Sequence, residues 1–408
     1  MEAAAAQSPS DSPRRQPRLV LHFDVNETIM VGDPAAGVSF EQCLNRVIAK
    51  SAVVKLAADG RYVWHDGSPL DPALRESGSR PPVLLPTWQL PDGCLFFNDW
   101  SLPDGIRSFT NSFTANGSPG AIYRPLFNEL EESLRCSPET TADPRLCHDG
   151  VHHFLLPAFF HTLNTLRSQG REVSIVIRTF GTDAPAVAEA MAAFAEGGYL
   201  SAPPWPELAA ALSVGRRWAG RYRTSDGAFT LTDWAKHAEG APDLSVFGSD
   251  TRTKQAAERE FETKRREADS GRDIDDEGLV AAELSGHHGL GPVSCTIIQD
   301  DYHWWCEKSY MPSSGKPLHL TVSAAGVSEH PIFFDDNIHR KHDDSIVAVR
   351  VRPDESLPFA PLTGIPPPTH SHAHPHNHHP NRHHHAHLAL AVGAARAAQF
   401  LSASCNLM

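Results

Sequence analysis

Along much of this chain apolar residues come as short unbroken runs rather than in alternation with polar ones, and several of these runs stop at a carboxylate. The first is LVLHF, residues 19–23, followed at once by Asp24. A continuous apolar run of that length marks a strand covered on both faces, so Arg18–Asp24 is predicted as a strand with Asp24 at its end. Comparable runs are VSIVIR at 173–178, SCTIIQ at 294–299, PIFF at 331–334 and SIVAVRV at 345–351, with LHLTV from 318 a weaker one. SCTIIQ and PIFF each lead into paired aspartates, Asp300/Asp301 and Asp335/Asp336. Between His152 and Gln169 the period changes. Phe154, Leu155, Ala158, Phe159, Leu163 and Leu166 recur at helical spacing, and Gly170 supplies the stop. Helix, glycine and buried strand make half of a parallel βαβ unit. The expected fold class is α/β: a three-layer sandwich with a mainly parallel central sheet and inserted cap-like regions.

The same pattern divides the chain. From about residue 31 to 150 the apolar pieces are short and set among Gly, Pro, Asn and Asp, with Trp64, Trp88 and Trp100 expected to anchor a small second core. This interval reads as one cap-like insertion. A second insertion is expected at 183–290, where TRTKQAAEREFETKRREADSGRDIDDE has the composition of solvated helix or disorder. The α/β core is then residues 18–30 joined to 151–352. Residues 1–17 read as a disordered leader, and 353–408 as a Pro/His-rich tail with a short C-terminal helix. Ten of the 24 histidines lie between His370 and His387. Such a tract builds no core; it reads as an unstructured linker or as a weak imidazole site for Zn²⁺, Ni²⁺ or Cu²⁺.

Composition narrows the partners. A formal net charge of −13 and a pI near 6.0 oppose a generally electropositive surface, so no nucleic acid partner is expected. No apolar stretch has the length of a membrane span, and no membrane partner is expected. The seven cysteines form no CxxC pair, which suggests neither a disulfide framework nor a thiolate zinc site and favours a reducing, cytoplasmic location. The sequence leaves the oligomeric state open.

In a parallel sheet the ligand crevice lies outside the carboxyl ends of the strands. Asp24, Thr179, Asp300/Asp301 and Asp335/Asp336 all follow apolar runs and so can meet there. Carboxylates gathered in a partly dry crevice repel one another unless a cation neutralises them, and oxygen-only ligands favour Mg²⁺. Each signal alone is common, since acidic residues cap helices and end strands in most proteins. The ordered set is more specific: strand-D-x-N-x-T, helix-Gly-strand-T, Gly-Lys-Pro, then strand-D-D.

In that order, LHFDVNETI, VSIVIRT, GKPL and IFFDDNI resemble the motifs of the haloacid dehalogenase-like (HAD) superfamily. The resemblance implies a Rossmann-like fold and a Mg²⁺-dependent phosphoryl hydrolase or transferase. Asp24 would be the nucleophile that forms an aspartyl-phosphate. Thr179 would hydrogen-bond the phosphoryl oxygens, and Lys316 would neutralise the nucleophile and the transferred group, with Lys308 the competing lysine. The metal ligands would be the Asp24 carboxylate, the Asn26 main-chain carbonyl, Asp335 and Asp336. Asp300/Asp301 could take the acidic role, but Lys316 precedes only the later pair. The substrate would be a small phosphorylated metabolite or a phosphoprotein, chosen by the 31–150 unit and the aromatic 302–305 segment. His303, Trp304 and Trp305 either wall that pocket or fill the core, and His22 reads as a satisfied core histidine.

Asn26 departs from the family pattern. Phosphatases of the family carry there an aspartate that serves as general acid and base, which an amide cannot do; such a loss typically costs ~10² to 10⁴ in rate. The resemblance thus leaves open a slow enzyme with a substitute acid/base such as Glu27 or His339, a different chemistry, or a catalytically silent binding or regulatory protein. Glu27 is expected to point to solvent.

Overall fold

The structure is a computed structural model. It describes residues 16–33, 37–76, 78–86, 89–99, 101–238, 256–257, 259–261, 274, 276–286, 291–321, 329–338, 346–352 and 358–361. The leader through 15, the His-rich tract, most of the charged 251–277 stretch, Trp88, Trp100 and His339 lie outside the described residues.

In chain order the main elements begin with β1 Arg18–Asp24, α1 Phe40–Ala49, β2 Val53–Leu56, β3 Tyr62–Trp64, β4 Cys94–Phe96, α2 Arg124–Ser133 and α3 Pro157–Ser168. Then come β5 Val173–Thr179, α4 Ala184–Glu196, α5 Pro206–Ser213, β6 Arg217–Tyr222, β7 Phe229–Asp233 and α6 Glu277–Leu284. The last are β8 Val293–Gln299, α7 Tyr302–Glu307, β9 Lys316–Thr321, β10 Glu329–Phe334, β11 Val347–Arg352 and β12 Ala360–Pro361. Among the described residues six strands form the central sheet, in the order β10-β1-β5-β8-β6-β7. All neighbours in it are parallel except β6 and the edge strand β7. The protein is therefore a mixed α/β molecule built on a mostly parallel sheet.

The apolar runs explain the layering, because side chains alternate between the faces of a strand. Leu21, Phe23, Ile175, Ile177 and Ile297 pack in one cluster with Phe159, Phe160 and Leu163 of α3 and with Val187, Met191 and Phe194 of α4. Val20, Val176 and Ile298 join a second cluster with Val280 and Leu284 of α6 and Trp304 of α7. Both faces are covered, which is why these strands tolerate no polar face. Each fully buried aliphatic side chain contributes on the order of 1.5–3 kcal/mol.

Three expectations change. The interval 183–290 is not peripheral throughout: α4 and α5 lie in the main cluster, β6 extends the central sheet beside β8, and α6 covers its other face. β6, RWAGRY, hides in the sequence because arginines and a glycine interrupt it. Gly220 is required there, since an added Cβ would lie 2.2 Å from the Phe229 ring. Next, SIVAVRV and LHLTV do not join the central sheet. As β11 and β9 they pair with each other, parallel, in a separate sheet β12-β11-β9. Their polar residues (Arg350, Arg352, His319, Thr321) break the apolar runs because they meet partners there: the His319 side chain is buried against Phe359 and, with Arg350, faces Glu277 of α6. Finally, His22 is buried and stacked on Phe333, but neither ring nitrogen has a hydrogen-bond partner among the described residues. Burial, helped by the Arg178 charge, pushes its pKa well down, so the ring is neutral.

Residues of the 31–150 interval gather around their own cluster. Leu44, Ile48, Trp64, Phe97, Phe113, Tyr123 and Phe127 pack together beside the antiparallel sheet β3-β2-β4. A Ser39–Gln42 capping box starts α1.

Candidate functional site

The sheet register assembles the site. Phe23 pairs with Phe334 on one side of β1, and Asp24 pairs with Arg178 on the other. Asp335, one residue past Phe334, and Thr179, one residue past Arg178, therefore flank Asp24 at the same strand ends. Lys316 arrives from the second sheet as the first residue of β9. Gly315 before it lies so close to the β11 side that an added Cβ would meet the Ile346 carbonyl oxygen at 2.0 Å.

The buried Lys316 ammonium donates to Asp24 Oδ1 at 2.5 Å and to Asp335 Oδ2 at 2.8 Å. Its cover is the Phe180 ring, whose centroid is 4.9 Å from Nζ. After Asp24 the chain turns back on itself, with Thr28, Ile29 and Met30 N–H groups all donating to the Val25 carbonyl. The turn brings Thr28 Oγ1 to donate to Asp24 Oδ2 at 3.1 Å and to accept the Asp336 N–H at 3.2 Å. Asp335 Oδ1 accepts the Asn337 N–H at 2.8 Å, closing a local turn.

Asp24, Asp335 and Asp336 are all buried, and one carboxylate oxygen from each lies within 4.8 Å of the others. Burial raises the Asp24 pKa well above the carboxylate range; Lys316 opposes this, but Asp335 and Asp336 reinforce it. Asp335 is raised for the same reasons, burial first. Burial works against the Lys316 charge, yet Asp24 and Asp335 outweigh it and its pKa rises. Three buried carboxylates this close together are stabilised by positive charge placed among them. Together with an all-oxygen donor set, that fits a hard divalent cation.

Asn26 and Thr179 stand beside this cluster. Thr179 Oγ1 donates to Asn26 Oδ1 at 3.3 Å and accepts the Gly181 N–H at 2.9 Å. Asn26 Nδ2 donates to Asp183 Oδ2 at 3.2 Å, and burial raises the pKa of that carboxyl.

The competing residues fall elsewhere. Lys308 is exposed and lies over the Trp304 ring, 4.4 Å from its centroid. Asp300 is held by Arg178, whose Nε and Nη2 donate to it at 2.8 and 2.5 Å. Asp301 caps α7 through the Trp304 N–H and accepts the Tyr222 N–H. Trp304 stacks on Tyr222 and Trp305 on Phe180, both packing inward. Glu27 corrects an expectation: it does not face solvent but is buried, paired with Arg46 at 2.9 Å and with Lys50. Its φ of 59° is a left-handed conformation that the tight turn imposes.

Sequence reasoning missed Lys50, whose ammonium pairs with Asp336 as well as Glu27. It also missed Asp183. Neither sits in a motif or ends an apolar run, so no local signal marked them.

Comparison of the chain with family models, with curated proteins and with solved structures gave no match. Among the described residues no helix is long and apolar enough to cross a membrane.

Proposed function

We propose that the protein is a HAD-like phosphoryl hydrolase or transferase of low intrinsic rate that works through an aspartyl-phosphate on Asp24. The observation that carries this reading is the Lys316 ammonium bridging Asp24 Oδ1 and Asp335 Oδ2. A lysine bonded to the nucleophile holds the carboxylate oriented and offsets charge on the transferring phosphoryl group. Asp24 attacks phosphorus through a carboxylate oxygen as the bond to the leaving-group oxygen breaks, Thr28 and Lys316 fix that carboxylate, and the Thr179 hydroxyl turns from Asn26 Oδ1 to a phosphoryl oxygen. Mg²⁺, held by Asp24, Asp335, Asp336 and the Asn26 carbonyl, would supply Lewis-acid stabilisation of phosphoryl charge. Asn26 neither gives nor takes a proton, so leaving-group protonation and water activation are slow. A small phosphorylated metabolite or a phosphoprotein remains the substrate class.

The test uses purified protein with Mg²⁺. An aryl phosphate should be hydrolysed slowly, or BeF₃⁻ should form an adduct seen by ¹⁹F NMR, and Asp24→Asn should remove both signals. Wild type and variant behaving alike would end the reading. A second reading, a catalytically silent binding or regulatory module, is favoured by Asn26 itself, whose amide is engaged at both ends by Thr179 and Asp183.

A further inference from the structure

Lys50 is the C-capping residue of α1, in the 31–150 interval, 286 residues before Asp336 in sequence. Its half-buried ammonium is bonded to Asp336 Oδ2 and to Glu27 Oε2, while Arg46, one turn earlier, holds Glu27 Oε1 at 2.9 Å. The other Asp336 oxygen accepts from Asn337 Nδ2 at 3.0 Å. One of the three carboxylates able to gather around a cation is thus already serving one, and that cation is part of the chain.

We infer that Lys50 is an internal competitor for the metal centre, holding Asp336 when no metal is bound and withdrawing onto Glu27 when a divalent cation takes the carboxylate. The inference rests on the metal-centre reading above. Its physical basis is charge and geometry. A divalent ion among Asp24, Asp335 and Asp336 and an ammonium on Asp336 Oδ2 would be like charges a few ångströms apart, and in a poorly screened site their repulsion is strong. Lys50 can yield because Glu27 Oε2 is already bonded to it, so it need never become a buried charge without a partner. Glu27 is fixed for this role by Arg46 on the same helix. The exchange also ties metal occupancy to the seat of α1 on the strand ends, and such linkage is reciprocal.

Mn²⁺ binding to the full-length protein, read from the EPR signal of the free ion without substrate, tests this. Lys50→Met should bind Mn²⁺ tighter, by about tenfold or more, the scale on which residues behind metal ligands act. Glu27→Gln should bind it more weakly, because Lys50 then has only Asp336 to hold. A purely structural role for the pair would weaken binding in both variants, so opposite signs are the decisive result. Wild-type affinity in Lys50→Met, or weaker affinity with unchanged thermal unfolding, overturns the inference and leaves the metal centre standing. If Lys50→Met does not fold, Glu27→Gln decides: equal or tighter binding refutes the proposal. No Mn²⁺ binding by wild type or by Lys50→Met removes the metal centre and the inference together.

Discussion

Two buried groups of charges sit side by side at the strand ends, and they are built on opposite principles. Arg178 is the register partner of Asp24 on the neighbouring strand. Its guanidinium makes a two-pronged pair with Asp300 and gives a third bond, at 3.0 Å, to the Pro317 carbonyl. One cation meets one carboxylate, each guanidinium nitrogen makes a bond, and both side chains are buried. Around Lys316 the balance differs. Its single ammonium serves both Asp24 and Asp335, Asp336 is left to Lys50, and the pKa values of Asp24 and Asp335 are driven up. A closed pair of matched charges holds the fold together; a carboxylate cluster in excess of its lysine is poised to take a proton or a cation. The first also supports the second, since Arg178 pins the backbone next to Lys316.

Exchanging the acids separates the two groups most sharply. Asp24→Asn should abolish turnover while costing little stability, because Lys316 keeps Asp335 and one source of carboxylate repulsion is gone. Asp300→Asn should instead lower stability by about 3–5 kcal/mol, the usual cost of leaving one member of a buried pair alone. Denaturant unfolding of both variants checks this, and equal losses would erase the distinction.

Restoring the missing acid comes next in size. Asn26→Asp should raise aryl phosphate turnover by ~10² to 10⁴ if the rest of the site is competent. The new carboxyl would face Asp183, and mutual repulsion favours the proton-holding form that protonates a leaving group. No turnover in either form would favour the silent module.

The smallest expected effect is in pH. Asp24 and Asp335 hold protons more tightly in the folded protein than in the unfolded chain. Stability therefore falls as pH rises from the ordinary carboxylate range through the raised folded values, by about 1.4 kcal/mol for each tenfold gain in proton affinity on folding. Thermal unfolding in EDTA should show that fall, Mg²⁺ should offset it, and Asp24→Asn should flatten it. A stability that rises with pH across this window in EDTA would mean that Lys316 already balances the cluster.

Much of this arrangement was legible in the chain because of one physical fact: strands inside a parallel sheet are covered on both faces and cannot alternate. β1, β5 and β8 announced themselves as apolar runs, the half-buried edge strand β10 by its shorter PIFF, and the residues Asp24, Thr179 and Asp335 at their ends were marked at the same time. β6 was not legible. Its arginines and Gly220 answer to neighbours across the sheet rather than to a local period. Lys316 was singled out by motif order, but that it and not Lys308 meets Asp24, 292 residues away, is a contact in space that no local pattern shows.

The sequence by itself determined the strand ends and the types of residue placed there, since burial and backbone pairing are properties of local runs. Only the tertiary structure decided which charges meet. Asp300 went to Arg178, Glu27 turned inward to Arg46 and Lys50, and Lys50 reached Asp336, because Coulomb partners in a folded core are chosen by distance in space and by the cost of leaving a buried charge alone.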